Sequence, residues 1–449
     1  MKKIFILLVC LFSLICYSQE HFAGIATSSR VGILNADLNP AELVNMKHKF
    51  ETNVFGISAN INNNKIGFKD LISGKDFKKL LFQDNNPASL NFKTEILGPG
   101  YAIKTNKFAL GIATKLNAKF DIVDLDSKIG EAVSNGVITG FAGLTVINNN
   151  TNQRITGTTW GEIDLIAAVN ILNSDKNKIN VGATFKLLFP GSFANIGVEN
   201  YIGIIDRTAV PSTLSNTQAS LNFAYSGGLA NSFTNFNDYA KSIFGSLNGF
   251  ATDLGINYQL KDEDKDKYKL NIGLAVKNVG TMTFKNDNNA STSYKLNIGS
   301  GSNALNLNLF NDINSVEQVE NILITNGFLD KTVADKQDFK VQMPAQFTIY
   351  ADVKIVSKIF VTGFLQQRIK DNTINNQITS QNLFTITPRF ATNYFEVYVP
   401  ITKTEIAGTA TGLGFRVGGF YIGTSSGVTA LINDSKQADV YTGFRWSFL

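Results

Sequence analysis

Asp253–Val279 reads DLGINYQL-KDEDKDK-YKLNIGLAVKNV, two alternating arms joined by a turn in which every residue is charged. In the first arm Leu254 and Ile256 share one side of an extended chain, and Asp253 and Asn257 share the other, because successive strand side chains point to opposite faces. The second arm repeats this alternation. A strand of a transmembrane barrel takes ~9–11 residues, with apolar side chains toward lipid. The stretch therefore predicts a hairpin of two membrane-spanning strands.

The same alternation recurs along the chain, and this recurrence decides between two fold classes. A soluble β-sandwich could also contain one such hairpin. Further alternating segments occur at 50–61, 100–105, 108–116, 160–172, 178–189, 194–205, 293–299, 347–355, 358–367, 383–389, 394–401, 413–417, 420–424 and 439–448. We therefore expect an all-β protein, a single transmembrane antiparallel β-barrel of about 14 strands.

Bulk composition is consistent with a barrel and excludes a bundle of membrane helices. Charged residues make up 17% of the 449 residues, below the roughly 25% of soluble domains. Mean hydropathy is only +0.01, and no apolar run of membrane-helix length occurs beyond the N-terminus. The net charge of +5 comes from scattered basic residues rather than a basic stripe, so we expect no nucleic-acid partner.

The N-terminus has the pattern of a secretory signal peptide, which predicts export. Lys2 and Lys3 precede an apolar run, and small residues allow cleavage after Ser18. A membrane anchor and a lipoprotein processed at Cys16 are weaker alternatives. Cleavage would also remove Cys10, leaving no cysteine in the mature chain. The predicted organisation is a signal peptide at 1–18, an N-terminal plug segment at 19–49 and an outer-membrane barrel at 50–449.

Several segments lack strand alternation and are expected in loops. Helical spacing appears at 70–82 and around 316–323, and 121–133 is helical or irregular. Residues 206–250 form a long polar insertion with a strand predicted at 219–225 and a helix at 238–250.

Residues that carry chemistry are scarce, so no enzyme, cofactor or metal site is predicted. A Ser-His-Asp hydrolase would have to use His21 or His48, and an outer-membrane lipase remains an alternative on that basis. Cys/His metal spacing is absent from the sequence, the acidic residues of 262–266 are interleaved with lysine, and no phosphate-binding loop follows a strand.

Charged side chains on the polar faces of the strands would line a wet lumen in a barrel, or a solvated outer face in a sandwich. These predicted lumen-facing charges are Lys115, Lys186, Lys269, Lys277, Asp352, Lys354 and Arg445. Lys354 and Asp352 share a face, which suggests a lumen pair. Aromatic residues near strand ends are candidates for interfacial girdles: Tyr101, Phe108, Trp160, Phe189, Tyr268, Phe420, Tyr421 and Trp446.

An early Leu-Asn-Pro-Ala at 38–41 followed by an alternating strand resembles outer-membrane barrels of the FadL type, which include PorV-type secretion barrels. Short stretches at 276–280, 343–345 and 416–420 resemble a Bacteroidota branch of unassigned function. The resemblance implies a 14-stranded barrel with an N-terminal plug. Asn39, Pro40 and Ala41 would be plug residues, and no catalytic site is implied.

The expected location is therefore the outer membrane, with lipids as partners. The function expected from the resemblance is passage or binding of small hydrophobic molecules. The alternative is a non-enzymatic subunit of a secretion, gliding or surface-attachment complex that binds cargo or partner proteins.

Overall fold

The computed structural model describes residues 21–135, 143–208, 211–231, 244–263, 267–285, 290–311, 313–331 and 338–448. The predicted signal peptide lies outside these ranges. The described strands are β1 (Phe50–Asn63), β2 (Ala88–Leu97), β3 (Gly100–Lys104), β4 (Phe108–Leu125), β5 (Leu144–Asn149), β6 (Gln153–Asn173), β7 (Asn177–Asp206), β8 (Thr213–Ser226), β9 (Gly249–Lys261), β10 (Tyr268–Phe284), β11 (Ala290–Ile298), β12 (Leu305–Asn306), β13 (Leu329–Lys331), β14 (Phe339–Gln342), β15 (Gln346–Val356), β16 (Ile359–Arg368), β17 (Leu383–Ala391), β18 (Phe395–Tyr398), β19 (Ile401–Thr404), β20 (Gly408–Thr411), β21 (Leu413–Val417), β22 (Phe420–Thr424) and β23 (Gln437–Phe448).

These strands build a closed antiparallel barrel, which confirms the predicted fold class. β1 pairs with β2 and β3 on one side and with β23 on the other, from Phe50 opposite Phe448 to Asn62 opposite Gln437. Taking β2 with β3, β14 with β15, β18 with β19 and β20 with β21 as single interrupted strands, the ring has 14 strands. Pairing of the first strand with the last leaves the ring no free edge.

Three of the four interruptions fall at prolines. Pro99 separates β2 from β3, Pro344 separates β14 from β15, and Pro400 separates β18 from β19. Proline has no backbone N–H to donate to a neighbouring strand, so the ladder breaks locally while the chain continues around the barrel.

The central hairpin forms as predicted and shows the polarity of the whole wall. On β9, Leu254 and Ile256 are 62% and 43% exposed on the outside, whereas Asp253 and Asn257 are 1% and 0% exposed on the inside. The same inversion holds around the ring, where polar side chains are buried and large apolar ones are exposed. A soluble sandwich buries its apolar face instead, and this polarity therefore favours a barrel that faces lipid.

One predicted boundary is wrong. The segments 178–189 and 194–205 were expected to be separate strands, but β7 is one strand of 30 residues. Trp160 of β6 pairs with Pro190 and Thr159 pairs with Ser192, so Gly191 is accommodated as a bulge. A bulge absorbs one residue without ending the strand.

Beyond the barrel, β7 continues into a second sheet, called the outer sheet, formed by β5, the C-terminal part of β7, β8, β11 and β13. Helix Val316–Thr325 packs against it through Val316 and Leu323 in a shared apolar cluster. The strand predicted at 219–225 and the helix predicted near 316–323 both belong to this unit.

The described α-helices are short: Ile33–Leu38, Phe68–Ile72, Phe77–Leu81, Ser127–Asn135, Gly228–Asn231, Val316–Thr325 and Gly427–Ile432. In the described chain, none of them has the length and apolarity needed to cross a bilayer. The pattern at 121–133 was partly misread, because β4 continues to Leu125 before its helix begins. Most of the helix predicted at 238–250 lies outside the described residues, and β9 begins at Gly249.

The two ends of the barrel differ. Short connections at 105–107, 174–176, 262–267, 357–358, 392–394 and 418–419 lie at one end, called the turn end, together with the start of β1 and the end of β23. The long connections and the outer sheet lie at the other, called the loop end. Transmembrane barrels of bacteria show this asymmetry, with short turns on the periplasmic side.

Candidate functional site in the lumen

Residues 21–49 lie inside the barrel and are called the plug. The plug contains α-helix Ile33–Leu38 and a 3-10 helix, Pro40–Asn45, and both are largely buried. Aliphatic and aromatic plug side chains pack against tyrosines of the wall in one cluster: Phe22, Ile25, Ala26, Val31, Leu34, Leu97, Tyr398, Tyr421 and Tyr441. Tyr441 Oη also donates a 2.6 Å hydrogen bond to the carbonyl of Ala23. The plug is thus anchored by apolar packing at this level of the lumen.

The segment Asn39-Pro40-Ala41 lies in the plug and contacts the wall directly. Asn39 Oδ1 accepts from the Ala41 N–H at 3.0 Å and caps the 3-10 helix, whose first residue is Pro40. Asn39 Nδ2 donates to the carbonyls of Ile256 at 3.0 Å and Leu274 at 3.3 Å. One asparagine therefore starts the helix and ties it to β9 and β10.

Two wall glycines allow this close approach. A Cβ at Gly182 would lie 2.5 Å from Ala41 N and from Pro40 C, and a Cβ at Gly255 would lie 1.9 Å from Asn39 Oδ1. Any side chain at these positions would therefore push the plug off the wall.

Below this contact, Glu42 of the plug collects hydrogen bonds from the wall. Its Oε1 accepts from Asn257 Nδ2 at 2.9 Å and from Asn271 Nδ2 at 2.8 Å, and also from the hydroxyl of Tyr350. Asn45 Nδ2 donates to Asn257 Oδ1 at 2.9 Å. A buried carboxylate with three donors is well satisfied, so this cluster fixes the end of the plug helix.

Charged residues of three wall strands pair with the plug. Lys115 of β4 bonds Asp37 of the plug, and its Nζ lies 2.8 Å from Asp164 Oδ2 of β6. Lys277 Nζ of β10 lies 3.9 Å from the Asp37 carboxylate. Buried charges are tolerated when they are paired and hydrogen-bonded. Removing Asp37 from the lumen would leave this network short of a carboxylate.

The remaining buried charges form pairs within the wall. Lys186 Nζ lies 3.0 Å from Asp253 Oδ2, and Arg445 Nη1 lies 2.7 Å from Glu51 Oε2. The other Glu51 oxygen accepts from the Ile33 N–H of the plug at 2.8 Å. Five of the seven predicted lumen charges, Lys115, Lys186, Lys277, Asp352 and Arg445, are at most 7% exposed.

The other two predicted lumen charges lie at the turn end. Lys269 is the extra residue of a bulge, because Tyr268 pairs with Lys261 and Leu270 pairs with Leu260. The bulge moves Lys269 to the outside and buries its neighbour. The predicted pair between Lys354 and Asp352 is not formed. Lys354 bonds Asp262, while Asp352 lies 2.7 Å from Arg389 Nη2.

The predicted aromatic girdle is only partly present. Tyr101, Phe108, Phe420 and Trp446 are exposed on the outside near the turn end. Trp160, Tyr268 and Tyr421 are instead buried and point inward. Each inward residue has a specific partner or packing position, as where Trp160 Nε1 donates to Glu162 Oε1 at 2.6 Å.

Among the described residues, no cluster of metal-ligating side chains occurs. His21 is half-buried, with Nδ1 2.7 Å from Ser58 Oγ, and His48 is exposed at the turn end. The sequence had no signal for the carboxylates that matter most here, Asp37 and Glu42. Both precede the first strand, so alternation could not assign them a side.

An apolar depression of about 730 Å³ lies on the outer surface of the wall across β4, β6, β7, β9 and β10. Its floor includes the small residues Ala167, Ala183 and Ala275 and the two glycines that contact the plug, Gly182 and Gly255. Large apolar side chains form its rim: Phe108, Leu110, Leu254, Ile256, Leu274 and Phe347. The plug segment Asn39-Pro40-Ala41 lies directly behind this floor.

A closed ring with an apolar exterior and a plugged, charged lumen defines a transmembrane-type β-barrel. The chain belongs to the family of unknown function DUF5723, whose model matches residues 40–425. No curated protein matches the sequence.

Solved structures with a similar fold are channel proteins. The toluene transporter TbuX of Ralstonia pickettii is 12% identical with a TM-score of 0.42, and the match covers 95% of this chain and 96% of that one. The toluene transporter TodX of Pseudomonas putida is 8% identical with a TM-score of 0.43, over 96% and 98%. The CymD monoaromatic hydrocarbon channel is 11% identical with a TM-score of 0.43, over 96% and 94%. At these values, what those channels carry remains a property of those proteins.

Proposed function

We propose that this protein is an outer-membrane barrel that binds small hydrophobic molecules at the wall depression and passes them into the lumen when the plug moves. The turn end faces the periplasm and the loop end faces outward. The inverted polarity of the wall supports the membrane assignment, because apolar side chains are exposed where a soluble protein would bury them. The length asymmetry of the connections supports the orientation.

The observation that carries the ligand class is the depression and what lies behind it. It is apolar and has a volume in the range of small-molecule sites, ~300–1,000 Å³. Small hydrophobic molecules concentrate in the bilayer, because apolar area removed from water gains roughly 25 cal/mol per Å². A molecule in the depression is separated from Asn39-Pro40-Ala41 only by the backbone of the two glycine-bearing strands.

The lumen determines when passage occurs. The plug is held by the Asn39 contacts, by Glu42 and by the pairing of Asp37 with Lys115 and Lys277. A hydrophobic molecule cannot cross a lumen that these groups fill. Displacing the plug from Gly182 and Gly255 would open the space next to the depression, so plug movement is the gating step.

The direct test fills the depression without touching the plug. Ala183→Trp projects from the exposed face of β7 into the depression. Ile386→Trp on β17 is a matched control, since it is also exposed on the outer wall but lies outside the depression. Binding of an apolar fluorescent probe to protein in nanodiscs, and uptake of hydrophobic compounds by cells, should fall about tenfold with Ala183→Trp, the equivalent of about 1.4 kcal/mol. Equal behaviour of the two variants, or unchanged uptake on gene deletion, would refute the proposal.

A second candidate function is that of a non-enzymatic subunit in a secretion or surface-attachment complex. The outer sheet favours it, because Leu144 and Val146 of β5 are 67% and 64% exposed although they lie beyond the barrel. Exposed apolar positions of this kind mark protein contacts more often than isolated surface residues do. Purification of the native membrane complex should bring down other proteins, and Val146→Glu should release them. Recovery of the barrel alone would count against this function.

A further inference from the structure

A second cavity, of about 400 Å³, opens at the turn end between the plug and strands β15 to β18. It is distinct from the wall depression, since it lies inside the barrel on the other side of the plug. Six cationic side chains and a single carboxylate, that of Glu396, line it. The cations are Arg30, Lys47, Lys267, Lys354, Lys358 and Arg389. Low-dielectric walls concentrate the field of so many like charges, so the cavity attracts anions.

Arg389 gives the second and independent indication. Its side chain is 2% exposed, and its Nη2 donates to Asp352 Oδ2 at 2.7 Å. Its Nε and Nη1 are buried and have no hydrogen-bond partner among the described residues. Native structures bond nearly all such buried donors. A guanidinium presents its donors as a planar fork that fits two oxygens of a carboxylate or phosphate.

We propose that this cavity binds the oxyanion head, carboxylate or phosphate, of a small organic anion that enters from the turn end. Arg389 supplies the fork, and Arg30 and Lys358 supply further positive charge. The rings of Phe360 and Tyr394 line the same cavity and offer an apolar surface for the rest of the molecule. The guanidinium of Arg389 lies 5.5 Å from the centre of the Phe360 ring, which orients it.

The site is shared between the plug and the wall. Arg30 belongs to the plug and donates to Asn393 Oδ1 at 2.7 Å, and Ser28 of the plug donates to the Glu396 carboxylate at 2.8 Å. An anion held between Arg30 and Arg389 therefore contacts both bodies. Its binding stabilises the plug in its seated position, because it favours the state in which both partners are in place.

The test uses the full-length mature protein in nanodiscs of neutral lipid and measures binding by calorimetry. The probes are inorganic phosphate, octyl phosphate and, as the uncharged comparison, octanol. The double variant Arg30→Gln, Lys358→Gln removes two charges from side chains that are not fully buried, so the wall pair of Arg389 and Asp352 stays intact. Lys107→Gln is the matched control, an exposed lysine of another turn at the same end.

Saturable binding of phosphate and octyl phosphate alike would assign the site to a free anion, and binding of octyl phosphate alone would assign it to an amphiphile. Either result supports the site if the double variant weakens binding at least tenfold and Lys107→Gln does not. Lack of saturable binding of both anions, or an equal loss in the control, would overturn it. Because the wall depression is not involved, this outcome is independent of hydrophobic transport.

Discussion

Gly182→Ala should unseat the plug while leaving the barrel closed. The added Cβ would lie 2.5 Å from Ala41 N and Pro40 C and 2.7 Å from Pro40 O, all backbone atoms. These atoms cannot rotate away, so the plug backbone must retreat to an ordinary contact of at least 3.4 Å. The wall itself tolerates the change, because alanine adopts extended backbone without strain.

The size of the effect follows from the contacts that are lost. Overpacking against a fixed backbone costs about 1–3 kcal/mol. Retreat also stretches the bond from Asn39 Nδ2 to the Ile256 carbonyl, now 3.0 Å, and such a bond contributes roughly 0.5–1.5 kcal/mol. Together these give about 2–4 kcal/mol against the seated plug. That free energy corresponds to a roughly 30- to 1,000-fold rise in the ratio of unseated to seated plug.

Single-channel recording in planar bilayers measures this directly. Wild type should conduct rarely, and Gly182→Ala should show frequent large openings. Gly111→Ala is a matched control, because its added Cβ would meet the flexible end of Leu43 at 3.2 Å rather than plug backbone. The heat-modifiable gel shift of a folded barrel should be kept by both variants. If Gly182→Ala stays as closed as Gly111→Ala, the plug is not held at this contact.

Further predictions concern buried charges inside and outside the membrane. Lys115→Met should lower barrel stability by about 3–5 kcal/mol, seen as a lower unfolding temperature on gels, because Asp164 loses its buried partner; wild-type stability would contradict it. In the outer sheet, burial first and the Glu320 carboxylate second raise the pKa values of Tyr225 and Tyr294. Their contribution to stability is therefore complete below the usual tyrosine pKa of about 10 and is lost as pH rises through the raised values. Glu320→Gln should move tyrosine absorbance titration to lower pH, and an unchanged titration would exclude the assigned contact.

Alternation predicted the parts of the fold that depend on which side of a strand a residue occupies. The apolar exterior, the central hairpin, the strand number and the closing strand β23 all follow from it, because a lipid-facing strand must be apolar at every second position. β2 was missed although the same signal is present, with Phe92 facing out and Asn91 and Glu95 facing in.

Local irregularities and distant partners could not be predicted from alternation. A bulge shifts the alternation by one residue, which is why Lys269 lies outside and Tyr268 inside. Periodicity also gives no information on which charges meet across the lumen. Asp352 pairs with Arg389 rather than with Lys354 because β16, between β15 and β17, brings the arginine to the same level of the barrel.

The central claim is that the apolar face of the wall meets lipid and the polar face lines the lumen. The protein has two tryptophans that report on the two faces, since Trp446 is 65% exposed on the outer wall and Trp160 is 2% exposed inside. In bilayers containing lipid brominated near the head group, Trp160→Phe, which keeps only Trp446, should lose most of its fluorescence. Trp446→Phe, which keeps only Trp160, should remain bright. Equal quenching of the two variants, or a mature protein that is monomeric in buffer without detergent, would contradict the account.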